Sequence, residues 1–177
     1  MKVVLIPYMN VFFVDKFAIS DPELGLLFSL LTLFTGIGSI FAPSLVHLFG
    51  GKINSVVITQ SFSLIFLMMV GFSPWFWLAS VGFLLRSVFM NMVVPLYHTF
   101  AMEQIEEINQ GTVNSLLELA WQIGWTVGPY LSGVVQEKAG FSPLFITTGL
   151  LYALANILTW RFFHESEAYP IPIAISL

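Results

Sequence analysis

Residues 75–102 read WFWLASVGFLLRSVFMNMVVPLYHTFAM, and Arg86 is the only Lys, Arg, Asp or Glu in that run. At about 1.5 Å rise per residue, a helix of this length exceeds the ~30 Å hydrocarbon core of a bilayer. The same pattern recurs on both sides, at residues 24–49, 55–73, 112–135 and 143–163, and residues 1–19 form a sixth, shorter apolar stretch. Gly, Pro, Ser, Asn or charged clusters separate them. These runs define an all-α integral membrane protein, a bundle of six transmembrane helices with the first one clipped.

The composition is 57% hydrophobic and 9% charged with a mean hydropathy of +0.87, whereas an average soluble domain is roughly 25% charged. A water-soluble fold is excluded. The chain has no Cys, which removes disulfides, thiolate metal sites and thiol chemistry. The net charge of −4 comes mostly from one acidic loop and an acidic tail, so no nucleic-acid partner is implied. No His, Asp or Glu cluster has metal-ligand spacing, and neither a phosphate loop nor a nucleophile elbow is present. An enzyme, a metal and a cofactor are therefore not expected.

A secretory signal is also excluded: Pro7 and Asn10 interrupt the first run, no small-x-small cleavage site follows, and five further apolar segments come after it. The abrupt start leads to the expectation of a missing upstream part. The connectors are Ser20 to Glu23, Gly50 to Asn54, Phe72 to Pro74, Glu103 to Gly111 and Gln136 to Pro143. Such short turns hold neighbouring helices antiparallel and leave no room for an extramembrane domain. The chain reads as one six-helix domain, 1–167, with a short tail, 168–177. If the Lys52 loop is cytoplasmic, Lys2, Lys52 and Arg161 lie inside and Lys16 and Lys138 outside, a small positive-inside preference.

Three motifs lie at corresponding places. Pro43 to Lys52 resembles the loop signature Gly-x-Leu-Ala-Asp-Arg-x-Gly-Arg-Lys of the major facilitator superfamily. Leu45, Gly50 and Lys52 match it, while Pro43 replaces its opening Gly and His47 its acid. Around Arg86 the chain resembles the family's Arg-x-x-Gln-Gly element, with the arginine alone retained. Gly124 to Gly133 is similar to Gly-x-x-x-Gly-Pro-x-x-Gly-Gly, with Ser132 at its penultimate glycine. The protein thus resembles one six-helix half of a major facilitator transporter, built as inverted three-helix repeats beside a central path. The opening segment, the eroded loop signature and the short tail resemble the carboxyl-terminal half; the amino-terminal half is similar enough to remain the alternative. The resemblance implies Gly50 and Lys52 as gating-loop residues.

Residue chemistry adds candidates. Arg86 sits about eleven residues into its segment, near the bilayer centre, where an arginine costs roughly 2.5–3.5 kcal/mol and must face a cavity or a partner. Glu118 lies about 10 Å deep in the fifth segment, at nearly the same depth, so the two could pair; an unpaired Glu118 could instead carry a proton, the alternatives being a structural ion pair or a carboxylate that snorkels to the interface. Gln122 is four residues beyond Glu118, and Trp121 and Trp125 are four apart, placing each pair on one stripe. Asn10 and Asn91 either hydrogen-bond neighbouring helices or meet substrate. Gly124, Gly128 and Ser132 form a small-residue ladder for close packing, Gly36 and Gly38 act similarly, and Pro129 bends its helix. Lone His47 and His98 read as interface residues.

The reading is a secondary active transporter of a small solute by alternating access, present as a half-length chain in the inner (plasma) membrane. Its partners would be the lipid bilayer, the missing half and an unknown small-molecule substrate, with a proton as candidate coupling ion. By itself the chain is expected not to transport. The alternative is a structural or assembly subunit of a membrane complex.

Overall fold

The computed structural model describes residues 8–103, 105 and 107–168, which form six helices: α1 Met9–Phe17, α2 Asp21–Phe49, α3 Lys52–Phe72, α4 Phe76–Glu103, α5 Glu107–Ala139 and α6 Ser142–Ala168. The Ile6-Pro7 start of the first expected span and nearly all of the tail from 168 lie outside the described residues.

Among the described residues, four helices are long and apolar enough to cross a membrane, with spans at Asp21–Phe41, Lys52–Phe72, Phe76–Leu96 and Ser142–Phe163. Six were expected from the apolar runs. The described part of α1 has nine residues, too few for a ~30 Å core. Helix α5 has 33, but Asn114, Glu118, Gln122 and its polar ends dilute its apolarity.

Helix ends follow local chemistry. The Glu23 carboxylate accepts hydrogen bonds from the Ser20 backbone N–H at 2.8 Å and the Ser20 hydroxyl at 2.7 Å, a capping arrangement that starts α2. Residues 21–23, expected in a turn, are therefore its first turn. Gly50 ends α2 at φ 70°, a left-handed conformation that costs glycine nothing. Pro43, Pro95 and Pro129 lie inside α2, α4 and α5.

Helix α3 is the spine, packed against α2, α4 and α6, while α4 also packs on α2. One core joins Phe12 and Phe13 of α1, Leu27 of α2, Leu67 and Val70 of α3, Phe83 of α4 and Phe145 of α6. Its rings meet edge-on or tilted, with centroids 5.0 Å apart for Phe12 and Phe145 and 5.4 Å for Phe13 and Phe83, geometries suited to the ring quadrupole. A second core, nearer the Lys52 end, holds Val56, Met92 and Leu96. Among the described residues, none of those buried in either core comes from α5. Helices α2 and α4 touch closely at Gly38, where an added Cβ would stand 2.9 Å from Val88 Cγ1.

Candidate functional site

Polar groups tie the spine to its neighbours. Ser63 Oγ donates to the Arg86 carbonyl at 3.4 Å, and Asn156 Nδ2 donates to the Val57 carbonyl at 3.0 Å and to Ser61 Oγ at 2.8 Å. In hydrocarbon such bonds substitute for missing water and fix helix register. They join α3 to α4 and α3 to α6, and the first of them lies at Arg86.

Arg86 is 1% exposed, one of the largest fully buried side chains. Its three guanidinium nitrogens have no hydrogen-bond partner among the described residues. Across from it on α6 is Tyr152, buried, whose hydroxyl reaches the sulfur of Met90 at 3.5 Å. Glu118 is elsewhere: it is exposed on α5. The structure therefore does not bring Arg86 and Glu118 together. The described ion pair is instead Lys52 with Glu103. Similar depth does not produce contact when one residue points into the bundle and the other out of it.

Helix α5 carries the remaining candidates outward. Glu118, Trp121, Gln122 and Trp125 are all exposed, and the indole rings of Trp121 and Trp125 lie 6.5 Å apart, tilted. Among the described residues of α5, Ser132 alone is buried. Gly124, Gly128 and Pro129 are half-buried. Tyr8 lies on this ladder: its hydroxyl donates to the Pro129 carbonyl at 2.9 Å, and a Cβ at Gly133 would come within 2.5 Å of that hydroxyl.

Asn10 is exposed on α1. Asn91 is half-buried and donates to the Ser87 carbonyl one turn back at 2.8 Å. Gly50 caps α2, and Lys52, at the start of α3, reaches Glu103 at the end of α4, bridging two helices on one face of the bundle. His47 and His98 are exposed.

Sequence reasoning missed Glu103, Tyr152 and Asn156. Glu103 had a signal, since it ends an apolar run on the same face as Lys52. Tyr152 and Asn156 are one turn apart on α6, a spacing that marks a polar stripe in an otherwise apolar helix.

The fold and its polar groups define a polytopic membrane helix bundle with buried polar seams and one outward polar-aromatic helix. The sequence matches the Major Facilitator Superfamily over residues 1–174, and the chain belongs to that family of transporters. It is also similar to "Uncharacterized MFS-type transporter YhhS" of Escherichia coli strain K12, 29% identical over 128 residues, covering 72% of this chain and 31% of that protein. The protein of the same name from Salmonella typhimurium strain LT2 matches with the same identity and coverage. The matched stretch is thus about a third of the length of these curated relatives. The chain is an integral, multi-pass membrane protein, and its family is one of transporters rather than enzymes.

Proposed function

We propose that this chain is one six-helix half of a secondary active transporter, moving a small solute by alternating access against a second half. The observation that supports it is the outward stripe of α5. A carboxylate and an amide set deep in a span are costly against lipid tails, roughly 2.5–3.5 kcal/mol for the charge near the centre. That cost vanishes if the stripe borders a polar path closed by a second half. On this reading residues 1–167 form the half-domain, 168–177 its tail, and the membrane is the inner one.

Within it, Glu118 carries the coupling proton, Gln122 hydrogen-bonds the solute, and Trp121 and Trp125 stack on its apolar part. Asn10 lies at the margin of the same path. Asn91 and Arg86, set back in the bundle, shape its wall, and the Gly124 to Gly133 ladder with the Pro129 bend lets α5 rock. Gly50 and Lys52 form the gate on their face.

The absence of native Cys supplies the test. In native membranes, Glu118→Cys and Gln122→Cys are expected to react with a membrane-impermeant thiol reagent, while Ile65→Cys and Leu154→Cys, mid-span on other exposed faces, are not. Unreactive stripe positions would place α5 against lipid and leave an assembly subunit as the better reading.

A further inference from the structure

The ends of α1, α3 and α5 and the start of α6 enclose an open cleft of about 360 Å³, within the ~300–1,000 Å³ range of small-molecule sites. Its apolar wall includes Phe12 and Phe141, whose rings are 5.1 Å apart. Asp15 and Lys16 both line it. Successive residues on a helix do not face each other, and no ion pair joins these two, so they present opposite charges from different directions.

Lys16 Nζ donates to the Gly71 carbonyl at 2.7 Å and lies 5.1 and 5.3 Å from the Phe12 and Phe17 ring centroids. This holds the ammonium at the wall, with further N–H donors in hand. Asp15 has no partner among the described residues. Gln136 Oε1, on the α5 side, is enclosed and accepts no hydrogen bond among the described residues. Ser142 opens α6 at the rim; Pro143 has no N–H and the Phe145 N–H donates to the Phe141 carbonyl, so the Ser142 and Leu144 amides are those that favour an anion there. Beside the cleft, just after Gly71, Trp75 and Trp77 are 69% and 78% exposed. Such tryptophans mark the headgroup level of a membrane.

We propose that this cleft binds a zwitterion made of a primary ammonium and a phosphate, the chemistry of a phosphoethanolamine headgroup. The phosphate meets Lys16 and the start of α6, and the ammonium meets Asp15 and Gln136 Oε1. A trimethylammonium group has no N–H to give these acceptors, so a choline headgroup binds less well.

The purified chain in mixed micelles is melted with added phosphatidylethanolamine, phosphatidylcholine or phosphatidylglycerol, and separately with free phosphoethanolamine. Phosphatidylethanolamine is expected to raise the melting temperature saturably above the other two lipids, as binding to the native state must, and Asp15→Asn, at an exposed position, to erase that preference. Stabilisation by the lipid alone identifies a lipid site; an equal, saturable effect of free phosphoethanolamine identifies a soluble ligand of the same chemistry. Equal melting of the wild type in all four additions overturns the proposal, as does a preference that survives in Asp15→Asn. Neither result bears on the α5 path.

Discussion

Lys52, the first residue of α3, pairs with Glu103, the last of α4, across 51 residues of chain. The pair fastens the ends of the two helices that pack most extensively on each other, and Gly50, turning at φ 70°, sets the approach of α3 to it. The side chains are 25% and 51% exposed, so the pair is partly solvated. Lys52→Ala is expected to cost about 0.2–1 kcal/mol, less at high salt, and the charge swap Lys52→Glu with Glu103→Lys to restore most of it. Chemical unfolding at low and high salt checks this; a loss of several kcal/mol would mean that the pair is not screened.

Arg86 leads to an opposite expectation. A buried charge without a partner is a stability cost, and replacing buried ionic groups with apolar ones of similar volume is often neutral or stabilising, by about 1–4 kcal/mol. Arg86→Met should therefore unfold at the same or a higher temperature than the wild type. A clear drop would show that the guanidinium has an acceptor within the bundle.

Glu118→Gln should change stability by no more than about 0.5 kcal/mol, as at other exposed sites. Because Glu118 and Arg86 do not touch, the double variant Arg86→Met with Glu118→Gln should be additive to within ~0.5 kcal/mol. A larger coupling term in the double-mutant cycle would place the two in contact.

The two glycines of α2 should behave differently. Gly38→Ala would set a Cβ 2.9 Å from Val88 Cγ1 and 3.5 Å from Val88 Cα, overpacking expected to cost about 1–3 kcal/mol. A Cβ added at Gly36 would meet nothing within 4 Å among the described residues beyond its own turn of helix, so Gly36→Ala should gain up to ~1 kcal/mol from helix propensity. Melting both variants in one detergent tests the α2–α4 contact; equal effects would dissolve it.

Much of this architecture was legible because depth in a membrane is linear in sequence. The apolar runs placed α3, α4 and α6 to within a few residues, and the turn at Gly50 lay where the glycines put it. Helix α5 extends beyond the apolar 112–135 run because Gln136 to Lys138 are compatible with helix but invisible to hydropathy. What sequence could not supply was azimuth. Arg86 and Glu118 share a depth, yet the rotation of each helix about its axis depends on packing of the whole bundle, and it turned one inward and the other out. The Lys52–Glu103 pair and the Asn156 bonds were hidden for the same reason, since each depends on which helices become neighbours around α3.

Among the described residues, helix α5 contributes none to the buried part of either apolar core, and this has an evolutionary consequence. Substitutions along Glu118, Trp121, Gln122 and Trp125 escape the packing constraints that govern Phe13, Leu67 or Phe145. Selection can therefore change that surface in single steps, each tolerated by the scaffold, so related chains can diverge there while their folding remains unchanged.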